Sequence, residues 1–486
     1  MPAEQRLKEG EALLQSGAPE AALAAADAVL TEQPRQPSAL LLRAAACKAL
    51  RRFAEAAEAY RAILSLFPEF TQMRLNLANA YIELCDWAAA ESVLQDAVAR
   101  APASAAAHAN LASLYLRQDR YDLAEAPCRK ALLIDPALIT AHQNLAAILA
   151  WRGDPEAERH RDAAYRQQQI FLEASAGAPR TVLILTASGS GNVPYQHLLP
   201  RGRYSRILWH LAYAPPGQAE ALPPHDVVFN AVGDPDAASE AQSAAERYAQ
   251  ECRRPLLNRP DRVARTLRSS MPDLLAGIAD VVVPKTLRFA CDDQSPEEVL
   301  LASGLNFPVI VRPAGRHGGQ GARLVHSANE LSAPLPRGEA FYASEFVNYR
   351  ARDGWFRKYR AIFVDRKPYP YHLAIGARWL LHYKTAEMRD DAGRRAEEAA
   401  FLRDPEAALG PRATAGLGAI AVRLDLDYAG IDFSLLPDGR LLFFEANATM
   451  LVHPEDEALF AYKNEAVNAI VAAMDAMIER RLAGKA

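Results

Sequence analysis

Cysteine is scarce in this chain. Cys47, Cys85, Cys128, Cys252 and Cys291 are the five in 486 residues, an odd number with no pair spaced as CxxC. That scatter argues against a disulfide framework or a zinc site and favours a reducing compartment. Long apolar runs are missing as well. No stretch reaches bilayer-spanning length, and residues 1–9 lack the apolar core of a signal peptide, so a soluble, cytoplasmic protein with no membrane partner is expected. Neither sign of charge dominates. Lys and Arg number 55 against 59 Asp and Glu, a formal charge of −4, which makes no electrostatic case for nucleic acid or an anionic membrane as the main partner. Aromatic residues are only 8% of a chain that is half hydrophobic. Aliphatic side chains therefore dominate, as suits packed helices, and the length calls for two or three domains.

Proline, by contrast, is periodic. Pro34, Pro68, Pro102 and Pro136 recur every 34 residues. Twelve residues before each stands an alanine (Ala22, Ala56, Ala90, Ala124), and twenty-four before it another small residue (Gly10, Ala44, Ala78, Ala112). Small side chains let two antiparallel helices approach closely, and the proline stops the second helix and turns the chain. Tyr81 and Tyr115 share a register in the third and fourth units. The period and pattern resemble the tetratricopeptide repeat (TPR) family, which implies an all-α solenoid over 1–152 with a groove for a peptide or protein partner. Asn76, Asn110 and Asn144 keep the same register, and with Asn79 they are candidates to clamp a peptide backbone or, alternatively, solvated side chains. A polar helix over about 155–174 reads as a cap within a 153–179 connector, broken by Gly177-Ala178-Pro179.

The rest reads as α/β. A β-rich run at 181–186 enters the loop Ala187-Ser188-Gly189-Ser190-Gly191-Asn192, either a tight turn or a loop whose amides hold a phosphate or carboxylate. With a second strand at 226–230 and a helix near 240–252, it forms a small α/β domain over 180–256. The region 257–486 opens with a helical stretch at Pro260. Strands at 281–284 and 307–313 follow, the second running into Gly315, Gly318, Gly319 and Gly321. Such glycines let backbone amides approach a polyphosphate, though a plain hairpin uses them too.

The most informative segment is 429–447. Two β-patterned runs flank Asp438-Gly439, the expected two-residue turn. Counting out from Leu436 opposite Leu441 sets Asp432 opposite Glu445 and Gly430 opposite Asn447. Strand alternation places Asp432, Glu445 and Asn447 on one face. It sends Ile431, Phe433 and Leu435, with Leu442, Phe444 and Ala446, to the core. Opposed carboxylates repel unless a cation or proton lies between them. Two carboxylates and an amide oxygen are hard donors suited to Mg²⁺.

That spacing and the triplet Glu445-Ala446-Asn447 resemble the metal-binding strands of ATP-grasp enzymes, over about 258–470. The resemblance implies an α/β (α+β) ATP-grasp fold using ATP and Mg²⁺, two ions, with Asp432, Glu445 and Asn447 as metal ligands. Gly315, Gly318, Gly319 and Gly321 would shape the phosphate loop. Glu345, Phe346 and Val347 would receive adenine. Arg360 would meet the γ-phosphate or acyl phosphate. Arg312, where relatives carry lysine, keeps the charge as a planar fork. Lys384, and Arg265 or Arg268, would add phosphate contacts. Gly430 stands where D-alanine–D-alanine ligases have an arginine, so either its oxyanion role passes to another residue such as Arg360 or the acceptor chemistry differs. His453 is an acceptor-side or structural histidine, and His317 sits in the glycine loop. The basic-aromatic stretch 349–358 is either an anion-recruiting segment or an exposed turn. The expected activity is ADP-forming ligation of a carboxylate to an amine, with the repeats recruiting a peptide or protein as in peptide tailoring or natural-product assembly. A phosphotransferase of the same fold, and a TPR scaffold with a regulatory nucleotide site, are the alternatives.

Overall fold

Each proline of the 34-residue series follows a helix end by two residues. Helices close at Glu32, Leu66, Arg100 and Ile134 in the computed structural model, which describes residues 2–175, 177–290, 296–316, 318–327, 330 and 339–484. The chain divides into two compact units, one of residues 1–180 with 201–206, the other of 181–200 with 207–486.

The first unit stacks antiparallel helix pairs: Ala3–Gln15 with Pro19–Glu32, Pro37–Ala49 with Phe53–Leu66, Thr71–Glu83 with Trp87–Arg100, and Ala105–Arg117 with Tyr121–Ile134. Ile139–Arg152 and Glu156–Tyr165 follow. The small residues do what the spacing implies. Ala22, Ala44, Ala56, Ala78, Ala90, Ala112 and Ala124 are wholly buried. A Cβ on Gly10 would stand 2.5 Å from Leu42 Cδ2. Each first helix also ends in a left-handed residue of one register, namely Gly17, Arg51, Cys85, Asp119 and Gly153, with φ between 56° and 83°. The following amide bonds back into the helix each time, as in Asp86 N–H to Tyr81 O at 2.9 Å and Arg120 N–H to Tyr115 O at 2.9 Å. This two-bond left-handed stop satisfies carbonyls that a helix end leaves free.

Two details differ from the sequence reading. The polar helix stops at Tyr165, and Ile170–Glu173 is a strand, because the run Ile170-Phe171-Leu172 favours extended backbone. Asn144 is not free to clamp a peptide. Its Nδ2 donates to Ala109 O (3.2 Å) and Ser113 Oγ (2.7 Å), tying one repeat to the previous one.

In the second unit, Arg180–Thr186, Val227–Asn230 and Leu256–Leu257 pair in parallel, near the helix Ser239–Glu251. An antiparallel four-stranded sheet follows, in the order Thr286–Ala290, Ala340–Glu345, Val309–Pro313, Arg323–Val325, with the glycine loop joining the last two. A five-stranded sheet runs Lys367–Gly376, Phe356–Val364, Tyr428–Leu435, Leu441–Asn447, Val281–Val282. Tyr359, Ala361, Phe363, Ile431 and Phe433 turn one face of it to a core shared with Phe401, Leu417 and Ile420 of the helices Ala392–Arg403 and Pro405–Leu424. The side chains between them on each strand are left for the other face.

The hairpin keeps its two key pairings by a different route. Gly430 faces Asn447 and Asp432 faces Glu445, but Leu435, not Leu436, faces Leu441. The connection is the three residues Pro437, Asp438 and Gly439 (φ 83°), closed by Leu436 N–H to Arg440 O at 2.9 Å. This is the common three-residue loop ending in a left-handed glycine. The resulting one-residue offset is removed by a bulge, since Asp432 pairs with Glu445 and Phe433 with Phe443, leaving Phe444 unpaired. The face assignment changes accordingly. Leu441 and Phe443 join the core, while Leu442 and Phe444 pack with Tyr349 on the other side.

Glycine at the left-handed helix stops should be stabilising where another residue now stands. Cys85→Gly should gain a few tenths to about 1 kcal/mol by relieving left-handed strain. Gly153→Val should lose more than it gains. Thermal melts of the helical signal should show midpoints moving in opposite directions.

Candidate functional site

Strand pairing sets four side chains in one row. Glu445 faces Asp432, Asp432 faces Arg360, and Arg360 faces His372. Directly paired residues share a sheet face, so an acid pair lies beside an arginine by register alone. Arg360 grips Asp432 with both arms of its fork, Nε to Oδ1 at 2.6 Å and Nη2 to Oδ2 at 2.9 Å. Lys358, two residues earlier on the same face, donates to Oδ2 at 3.0 Å. Burial favours the neutral acid, but the two cations outweigh it and hold Asp432 ionised far below the ordinary carboxylate range. Glu445 is similarly buried, yet Arg268, and Arg312 at 3.6 Å, bring its pKa down to about 2.

Among the described residues, four cations thus crowd around Asp432 and Glu445, with Asp234 a further acid acting on Arg268 and Arg312. Arg312 feels the crowding most. Burial and then neighbouring Arg268 depress its pKa. Its Nη2 donates to Arg316 O at 2.6 Å, while its buried Nε has no hydrogen-bond acceptor among the described residues. A buried donor in that state is expensive unless an anion meets it. His372, at the end of the row, is held neutral by burial and by Arg360.

These groups line a cleft of about 430 Å³ within the second unit. Asp432, Glu445, Asn447, Arg268, Arg312, Lys358 and Arg360 are among its polar lining. Gly318 and Gly319 line it too, while Gly315 borders a small adjoining cavity. All four loop glycines have φ between 66° and 75°. A Cβ on Gly319 would lie 3.1 Å from Leu380 Cδ1 and one on Gly321 3.0 Å from Pro313 Cδ, so side chains there would obstruct the loop. Apolar and aromatic side chains line it as well, namely Ile310, Phe346, Val347, Tyr349, Trp379, Leu442 and Phe444. Phe346 meets Trp379 edge-on at 5.7 Å, and Tyr349 lies 4.9 Å from Phe444. Phe444 reaches this wall because the bulge turns it there.

Several expected residues behave differently. Glu345 lines the cleft, but its Oε1 accepts from Asn306 N–H and Nδ2–H, both at 2.9 Å, so that oxygen braces a neighbouring loop. Asn447 Oδ1 accepts from the backbone N–H and hydroxyl of Thr449 at 2.9 and 3.0 Å. Arg268 enters the site, whereas Arg265 donates to Arg423 O at 3.4 Å, away from it. His453 turns Nδ1 to Pro454 O at 2.9 Å. In the basic-aromatic stretch Tyr349 and Phe356 are buried, and Arg357 is engaged by Asp353 and Glu397. His317 and the side chain of Lys384 lie outside the described residues. Thr449 lines the cleft without having been assigned a role from sequence; Gly191 and Asn192, of the candidate anion-binding loop, and Lys358, of the candidate anion-recruiting stretch, line it as well. Lys358 was readable, because it alternates with Arg360 on one strand.

Gly430 has a packing reason. A Cβ there would come within 2.3 Å of Met450 Cγ and 2.7 Å of its Cβ, so no arginine fits. The charge facing Asp432 comes from Arg360 instead.

Family models match two parts of the chain. Residues 268–350 match the model for the carbamoyl-phosphate synthase L chain, ATP binding domain. Residues 7–69, 48–114 and 105–138 match tetratricopeptide repeat models. The chain therefore joins TPR repeats at its N-terminal end to an ATP-grasp-type ATP-binding domain further along. Similar solved structures include MamA (41-end) from Desulfovibrio magneticus RS-1, with 24% identity, 34% of this chain, 96% of that one and a TM-score of 0.31. TTC0263, a thermophilic TPR protein of Thermus thermophilus, shows 25% identity, 34% and 92% coverage and a TM-score of 0.29. YrrB, described as a TPR protein with an unusual peptide-binding site, shows 20% identity, 34% and 87% coverage and a TM-score of 0.29. No curated protein matches the chain. Among the described residues no helix is long and apolar enough to cross a membrane.

Forcing a methyl group against Met450 should cost about 1–3 kcal/mol. Gly430→Ala is expected to lower the calorimetric midpoint of the second unit and to leave the helical array's transition in place.

Proposed function

We propose that the chain is an ATP- and magnesium-dependent ligase that activates a carboxylate as an acyl phosphate and joins it to an amine, while the TPR array recruits a peptide or protein partner. One observation supports the reading: an opposed acid pair ringed by four cations, in a cleft also lined by apolar and aromatic side chains of the kind a purine ring would stack on. Asp432, Glu445 and Asn447 would hold the metal, two ions by the family resemblance. Their oxygen donors are the hard type that magnesium takes, and they share one wall. Bound magnesium would neutralise phosphate charge and polarise the phosphoryl group.

The protein's own groups supply positioning and charge. Arg312, with its unpartnered Nε, and Arg268 would bind the phosphates under the loop of Gly315, Gly318, Gly319 and Gly321. Phe346, Val347 and the backbone at Glu345 would border the base. Lys384, on the segment facing that loop, would be a further phosphate contact. A substrate carboxylate oxygen attacks the γ-phosphorus, and the bond from phosphorus to the ADP oxygen breaks. Arg360 would hold the transferred phosphoryl oxygens, taking the place of the arginine excluded at Gly430. The amine nitrogen then attacks the acyl carbon, the carbon–oxygen bond to phosphate breaks, and the amine proton leaves with the phosphate. Closure of the glycine loop would keep water from the acyl phosphate. The carboxylate and amine are those of a peptide or of a small molecule joined to it, as in peptide tailoring or natural-product assembly in the cytoplasm.

Cell extract labelled with ¹⁸O in its carboxylates should, with ATP, yield a new amide product by mass spectrometry and ¹⁸O in the released phosphate. Glu445→Gln should reduce both by about a hundredfold or more. Label that stays with a phosphorylated product would instead mean phosphotransfer, and unchanged product in the variant would remove Glu445 from the site.

A further inference from the structure

The site's own cations engage both oxygens of Asp432 and one of Glu445, which leaves a metal little to hold. Both oxygens of Asp432 are taken, Oδ1 by Arg360 Nε at 2.6 Å and Oδ2 by Arg360 Nη2 and Lys358 Nζ at 2.9 and 3.0 Å. The side chain is only 3% exposed. Glu445 Oε2 is held by Arg268, with Arg312 at 3.6 Å. A dication entering this place meets four cations, and finds Asp432 engaged at both oxygens and Glu445 at Oε2. A polyphosphate is drawn to the same four cations and offers them new partners.

We propose that the nucleotide-free site excludes divalent metal by keeping both carboxylates on its own cations, and that Lys358 is the gate, turning from Asp432 to nucleotide phosphate when ATP arrives. This rests on the reading of the cleft as an ATP site. Lys358 suits the role by its chemistry. Arg360 holds Asp432 through a rigid two-pronged fork, whereas Lys358 makes a single contact at the end of a flexible four-carbon stem. It lines the cleft with its side chain 15% exposed, and its ammonium can turn within the cleft without rebuilding the sheet. Arg312 Nε, buried without an acceptor among the described residues, gives the arriving anion a second anchor. The consequence is coupled assembly, in which nucleotide binding makes the metal ligands available.

The test is Mn²⁺ binding to the full chain, followed by electron paramagnetic resonance without nucleotide. Wild type should bind weakly, and Lys358→Met should bind about tenfold more tightly, within the usual range of coupling between two ligands. Lys358→Arg, which restores a cation, should return to wild-type behaviour. Arg350→Gln removes a charge that lies over the Phe356 ring, 5.0 Å from its centre, and should leave Mn²⁺ affinity unchanged. Metal-free ATP in EDTA should bind wild type and bind Lys358→Met more weakly. Should Lys358→Met fail to melt cooperatively, Lys358→Gln serves the same comparison. Tight nucleotide-free Mn²⁺ binding by wild type, or an equal gain in Arg350→Gln, overturns the gate while ATP binding stands. Loss of ATP binding by wild type, with or without metal, overturns the nucleotide reading and the gate with it.

Discussion

Two carboxylates buried side by side are the constraint around which the second unit is arranged. Left unpaired they would repel and drive each other toward neutrality. Register places Arg360 against Asp432, alternation adds Lys358, and segments far apart in the chain bring Arg268 and Arg312 to Glu445. Removing one member of such a buried group leaves an uncompensated charge, a loss of about 3–5 kcal/mol. The cluster is therefore structural, and under the proposed function the attraction that stabilises it would be exchanged for attraction to a ligand.

Some of this was legible in the residues alone. The 34-residue period announced the array because proline and small side chains act locally, stopping helices and letting them touch. The acid pair was legible because an antiparallel hairpin converts sequence distance into spatial opposition by counting. The charge at Arg360 was also accessible, since one strand carries it in alternation with Lys358. The tetratricopeptide models match across the repeats, where the period is strongest, while the match over 268–350 ends before Lys358, Arg360 and the hairpin.

What stayed hidden has physical causes. The left-handed helix stops share a register but are Gly, Arg, Cys, Asp and Gly, because hydrogen bonding sets that conformation and the side chain merely tolerates it. Glu345 bracing Asn306 and Asn144 bonding the preceding repeat depend on partners 39 and 31–35 residues away, which no local pattern encodes. The reason for Gly430 lies with Met450, a contact made only after the hairpin folds back. The two-residue turn was the simplest reading of Asp438-Gly439, and the three-residue loop actually formed would have misaligned the acids had Phe444 not been left out of the ladder.

That bulge makes the loop and the strand a single inheritable device. A neighbouring pair, Phe444 and Glu445, looks into one cavity, which a regular strand forbids, so an aromatic floor and an acid ligand sit at adjacent positions. Deleting one loop residue alone would exchange the two surfaces of the strand. It would carry Glu445 into oil and Phe443 into the charged chamber. Length variation at this tip is consequently tolerable only in concert with loss of the irregularity, and related chains should show both features or neither.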